Sequence, residues 1–171
     1  MPALTAEDSV LLVVDLQERL MPAISGAPEV LRNAGRLVRA ASRLAVPVTT
    51  TEQDPSKLGP TVAEIAELLP APAVGKSTFA AALELPRARA VVCGCEAHVC
   101  VLQTVLALRA NGSEVAVVAD AVGSRAPENR DAAIARMRDH GVDVVTTEMV
   151  VFEWLGASTN PAFREVQGLI K

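Results

Sequence analysis

Five short apolar runs punctuate the chain: Val10 to Val14, Val46 to Thr51, Ala90 to Cys93, Val115 to Ala119, and Val142 to Thr147. Each is β-branched or nearly continuous in apolar character, as strands covered on both faces should be. Between them the apolar positions recur with helical spacing. Pro28 opens one such stretch, with Val30, Ala34, Leu37, Ala41 and Leu44 on a common face, and Val99, Leu102, Leu106 and Ala110 mark another. A third runs from Pro127 to Gly141, matching the preference for proline at helix starts and glycine just past helix ends. A sixth strand is expected near Leu69 to Val74, although Pro70 and Pro72 weaken the pattern there. After Phe152 the chain reads as a closing helix from Pro161 to Ile170.

Strands alternating with helices of this length predict parallel βαβ units, hence an α/β fold with a doubly wound sheet flanked by helices on both faces. No linker or internal repeat divides residues 1–171, so one domain is expected. In such sheets ligands collect at the carboxyl ends of the strands, which makes polar residues directly after apolar runs the ones to examine.

Composition narrows the function classes. Half of the residues are hydrophobic, enough for a sizeable core, yet there are only three Phe, one Trp and no Tyr. With a net charge of -4 and no basic run, neither nucleic acid nor an anionic membrane is the expected partner, which leaves a small-molecule substrate. The N-terminal stretch lacks a basic leading region, and its apolar run is cut off by Asp15, too short for a signal peptide or a spanning helix. All three cysteines fall between positions 93 and 100, which favours free thiols in a reducing compartment and predicts a cytoplasmic protein.

Three residues at strand ends could carry chemistry. Asp15 follows Leu11-Leu12-Val13-Val14, where apolar neighbours suit a carboxylate base, although a helix N-cap or turn residue fits the same position. Gln17 could orient it. Cys100 falls in the first turn of the helix after the third run, where the helix dipole and unpaired amides would stabilise a thiolate and an oxyanion. The alternative for a free cysteine is a small buried hydrophobe, which suits Cys93. Lys76, in Gly75-Lys76-Ser77-Thr78, could lower a thiol's pKa and hold a carboxylate ionised from a loop at the ligand edge, or could simply be solvated. It does not mark a phosphate loop, because Pro70 stands where the motif needs its first glycine. Cys93, Cys95, His98 and Cys100 lack the paired C-x2-C spacing of structural zinc sites, and His98 and Cys100, two apart at a helix start, do not face each other as a dyad.

Taken in order, Asp15 in Val13-Val14-Asp15-Leu16-Gln17, Lys76 in Gly75-Lys76-Ser77-Thr78-Phe79, and Cys100 in Glu96-Ala97-His98-Val99-Cys100 resemble the isochorismatase-like cysteine hydrolases over essentially the whole chain. Thr51-Glu52-Gln53, Leu58-Gly59-Pro60-Thr61, Ala119-Asp120-Ala121 and Ser124-Arg125 bring it nearest to the small isochorismatase-domain proteins of unassigned substrate. The resemblance implies a three-layer Rossmann-like fold with a six-stranded parallel sheet and an Asp15-Lys76-Cys100 triad. It also implies an oxyanion pocket from the backbone amides of Glu96 and Cys100, a non-proline cis peptide between Cys95 and Glu96, and a homo-oligomer. The apolar Phe152, Trp154 and Leu155 add a candidate contact surface, with a core role as the alternative.

Two departures narrow the implied activity. The metal ligands of the nicotinamidases have no counterpart in Thr50-Thr51-Glu52-Gln53-Asp54-Pro55, and the chain's only histidines are His98 and His140, so no metal and no cofactor are expected. The isochorismate hydrolases proper lack cysteine at the nucleophile position, so Cys100 implies amide cleavage through a thioester, with ester cleavage second. Gln17, Gln53, Phe79 and Trp154 are the expected pocket residues. The alternative from another class is a binding or redox-sensing module that retains the fold.

Overall fold

In the computed structural model, residues 3–171 are described; Met1 and Pro2, which open the N-terminal segment read above for a leader, lie outside the described residues. The strands are β1 (Ser9–Val14), β2 (Val48–Gln53), β3 (Val74–Lys76), β4 (Arg89–Cys95), β5 (Glu114–Gly123) and β6 (Asp143–Val145). All pair in parallel, in the order β3-β2-β1-β4-β5-β6. This is the doubly wound α/β arrangement expected from the alternation of strands and helices. The chain reverses its direction of travel across the sheet between β1 and β4, and that switch point is where such sheets leave a crevice.

β1 shows why the central strands form. Val10 to Val14 are all fully buried, with Leu11 and Val13 in one core and Val10, Leu12 and Val14 in the other, so the period-2 alternation serves two helical layers at once. Burying a Val or Leu side chain contributes about 1.5–3 kcal/mol, so these five positions alone fix the strand's place at the sheet centre. One layer carries α1 (Ala27–Arg43), in which Pro28 sits in the first turn and Val30, Ala34, Leu37 and Ala41 face the sheet. The opposite layer carries α4 (Leu102–Ala110), entered through a π-helical turn at Ala97–Val101, and α5 (Pro127–Asp139).

Several boundaries differ from the sequence expectation. The sixth strand lies at Val74–Lys76 rather than Leu69 to Val74, because the prolines break the earlier stretch and pairing with β2 begins only at Val74. Lys76 therefore closes an edge strand instead of sitting on a loop. The last apolar run does not continue to Thr147: β6 stops at Val145, and the Thr146 hydroxyl accepts from the Met149 amide to start α6 (Thr147–Leu155). The closing helix is shorter than expected, α7 spanning Phe163–Gly168, and two brief helices, α2 (Pro55–Leu58) and α3 (Ala63–Ala66), lead from β2 to β3. Trp154 and Leu155 turn inward to the core, which leaves Phe152 as the exposed member of the expected contact surface.

The backbone at the ligand edge is tightly constrained. Gly94 has φ +124°, and a Cβ there would stand 2.0 Å from the Val14 carbonyl oxygen, so only glycine lets β4 approach β1 this closely. Asp15 follows directly with φ 50°, a left-handed conformation that short polar residues tolerate best. No helix among the described residues is long and apolar enough to cross a membrane.

Candidate active site

Three strand ends and one helix start converge on Asp15. Its fully buried carboxylate accepts from the Thr51 hydroxyl at 2.7 Å through Oδ1 and from Lys76 Nζ at 2.8 Å through Oδ2. The Lys76 side chain is 9% exposed against 0% for Asp15, so the ion pair is shielded from water and both charges depend on each other. The ammonium is further held by Gln53 Oε1 at 2.8 Å and by the carbonyls of Phe79 at 3.1 Å and Thr78 at 3.3 Å. Gln53 Oε1 also accepts from Cys100 Sγ at 3.9 Å, and Asp15 and Lys76 lie close enough for their charges to act on the Cys100 thiol. Asp15, Lys76, Gln53 and Cys100 thus form one connected cluster drawn from β1, β3, β2 and the turn after β4.

Cys100 differs from the expectation in its ionisation. Burial first, and Asp15 after it, push its thiol up to about 12; Lys76 pulls the other way without offsetting them. A helix start alone would favour thiolate, but here desolvation and an adjacent carboxylate outweigh it. The resting group is a neutral thiol with a proton acceptor beside it. Burial also pushes Cys93 up to about 12 and Cys95 upward, as befits inert core thiols.

The remaining expected pocket residues divide. Phe79 lies at the rim, half-exposed, with its carbonyl on Lys76. Gln53 faces the cluster, and its Nε2 is fixed by the Ser77 carbonyl at 2.8 Å and Asp54 Oδ2 at 3.3 Å. Gln17 is a correction: fully buried, it spends its amide on the Gln53 backbone and the Gly59 carbonyl, stitching the β1 exit to the β2 exit rather than facing a ligand. Trp154 is another, because α6 places it in the core on the sheet face opposite Cys100.

The segment before Cys100 is held by side chains whose role the sequence reading missed. The Cys95–Glu96 peptide is cis. Glu96 occupies the N-cap position, with its carbonyl accepting from the Val99 and Val101 amides, so its own N–H stands outside the helix ladder. Its carboxylate accepts from the Arg125 amide at 2.9 Å and from Arg125 Nε at 3.1 Å, and His98 Nδ1 lies 2.9 Å from the Ser124 hydroxyl. Thr51 was also missed as a partner of Asp15, although its position at a strand end was the available signal. Glu52 and Asp120 serve the scaffold, accepting from Thr61 and Thr147 respectively. No group of three or more His, Cys, Asp or Glu among the described residues could hold a metal ion. A groove of about 720 Å³ between α1 and α3, lined by Met21, Leu31, Arg36 and Ile65 among others, contains none of the clustered residues.

Comparison with known proteins identifies the family. The isochorismatase domain model matches residues 9–149. The human isochorismatase domain-containing protein 2 is 39% identical over 95% of this chain and 83% of its own length; mouse isochorismatase domain-containing protein 2A is 36% identical over 96% and 84%. Among solved structures, the MAR1 ribonuclease of Caenorhabditis elegans superposes with a TM-score of 0.94 at 36% identity, covering 98% of this chain and 92% of that one. YcaC from Pseudomonas aeruginosa, solved with hexane-2,5-diol and covalent acrylamide, gives 0.90 at 26% identity, covering 98% and 91%. With the family model spanning most of its length and relatives well above 30% identity, the chain belongs to the isochorismatase family of hydrolases.

Proposed function

We propose that this protein is a metal-independent cysteine hydrolase that cleaves the C–N bond of a small amide through a thioester on Cys100. The observation that carries the reading is the buried Asp15–Lys76 ion pair beside Cys100, joined to the thiol through Gln53 Oε1, which sets a carboxylate near a thiol out of water. In this mechanism Asp15 takes the thiol proton as sulfur attacks the substrate carbonyl, so no free thiolate has to be stored in the resting enzyme. Lys76 keeps the carboxylate charged until that moment. The Glu96 and Cys100 amides receive the oxyanion. Asp15 then returns the proton to the departing amine, and in the second half takes a proton from water as it cleaves the thioester, releasing the acid and restoring the thiol.

The alternative of a redox sensor fits less well, since sensing thiols are exposed and of low pKa, whereas Cys100 is 6% exposed and pushed up to about 12. YcaC from Pseudomonas aeruginosa was solved with covalent acrylamide, itself a small amide, which is in keeping with a ligand of this class. The name ribonuclease carried by the nematode structure is not transferred, because an acidic chain with four Phe and Trp residues in all and no Tyr suits a small molecule better than RNA. Free thiols suit a reducing cytoplasm. The test is ammonia release from a panel of small amides by the parent, Cys100→Ala and Asp15→Asn proteins. Both variants should lose on the order of a thousandfold or more in kcat; a Cys100→Ala protein that keeps substantial turnover overturns the reading.

A further inference from the structure

Arg125 lies outside the cluster of Asp15, Lys76 and Cys100, yet it is the cation that pairs with Glu96 among the described residues. The pairing is asymmetric: the Glu96 side chain is 9% exposed and that of Arg125 63%. An exposed arginine reaching a buried carboxylate through its Nε and its own backbone amide fixes the carboxylate's position rather than merely neutralising it. Beside it, the Ser124–His98 contact joins the same two segments. The chain leaving β5 is therefore buttoned at two consecutive residues to the turn between β4 and Cys100.

From this geometry we infer that Arg125 is a positioning residue, which acts through the Glu96 side chain to hold the Glu96 backbone N–H in its oxyanion-binding orientation. The inference rests on the thioester reading above. Glu96 joins two fixed elements, Cys95 before it pairing with Gly123 of β5 and its own carbonyl committed to the helix, so its side chain is the third point at which the residue is held. Pinning the carboxylate on the far side limits rotation of the residue about its own backbone. Removing the guanidinium leaves only the Arg125 amide on the buried carboxylate, which must then turn toward water and take the backbone with it. The ionisable groups facing Cys100 itself, Asp15 from β1 and Lys76 from β3, are untouched by the change.

That separation supplies the test. Acylation of Cys100 by p-nitrophenyl acetate develops an oxyanion; alkylation by iodoacetamide, at a saturated carbon, does not. In the full-length Arg125→Ala protein, acylation should slow about tenfold or more, with alkylation within twofold of the parent and Arg125→Lys intermediate. A general loss of structure would slow or accelerate both reactions together, and that result, or no change in either, overturns the inference. Should Arg125→Ala not fold, the exposed site makes Arg125→Gln the substitute, judged on the same ratio. If the parent shows no Cys100-dependent acylation while Cys100→Ala abolishes nothing, the thioester reading itself fails, and this inference with it.

Discussion

Replacing Lys76 by Met tests the strongest electrostatic statement in the structure. Methionine keeps most of the side chain's length and apolar stem but leaves the fully buried Asp15 carboxylate with the Thr51 hydroxyl as its remaining hydrogen bond among the described residues. Breaking a buried ion pair from one side costs about 3–5 kcal/mol, because the remaining charge stays desolvated without compensation. That is about a fifth or more of the total stability of a typical domain, about 5–15 kcal/mol, so the variant is visibly weakened. The cost belongs to the stranded charge, so removing the charge recovers it: Asp15→Asn/Lys76→Met should be more stable than Lys76→Met and show a coupling of about 2–3 kcal/mol in the double-mutant cycle. Urea denaturation followed by tryptophan fluorescence measures this well, since Trp154 is the only tryptophan and reports from the far side of the sheet. A single-variant cost under about 1 kcal/mol, or additive effects of the two substitutions, would refute the claim that the pair is buried and mutually dependent.

Two further outcomes follow from the geometry. Gly94→Ala should yield little or no folded protein, as the new Cβ meets backbone 2.0 Å away at a positive φ; soluble expression with an unchanged thermal transition would contradict the close approach of β4 to β1. Because the Cys100 thiol is raised to about 12, its alkylation by iodoacetamide should keep climbing through pH 9 and beyond; a plateau below pH 8 would show an activated thiolate instead. The same sign governs stability. Thiols with raised pKa values hold their full contribution below about pH 9, the ordinary thiol value, and lose it as the pH rises towards 12, so Cys93 adds to alkaline unfolding.

What the sequence made legible follows burial. β1, β4 and β5 were readable because both of their faces are covered, which forces continuous apolar runs. β3 was misplaced because a three-residue edge strand with two exposed residues has no such requirement, while the Leu69 to Val74 stretch looked more apolar than its position demanded. α6 was hidden by a strand reading carried two residues too far, although Val150, Val151, Trp154 and Leu155 carry helical spacing and all point inward. At the site, order along the chain located Asp15, Lys76 and Cys100, but no linear pattern shows that Thr51 would meet Asp15 or that Arg125 would reach back across 29 positions to Glu96. The thiol's ionisation was misjudged for a related reason: the helix start is a local feature, whereas desolvation is a property of the assembled core.

The placement of β3 at the sheet's margin gives the molecule a gradient of local opening. Strand β1, carrying Asp15, cannot loosen without losing both cores, whereas β3 is short, pairs on one side only and has Val74 and Gly75 in solvent. Fraying at such an edge requires far less free energy than global unfolding. The cation therefore rides on a weakly protected edge strand, and the carboxylate directly follows a fully buried one. A partial opening that releases Lys76 would break its pairing with Asp15 while leaving the rest of the sheet, and Cys100 with it, folded.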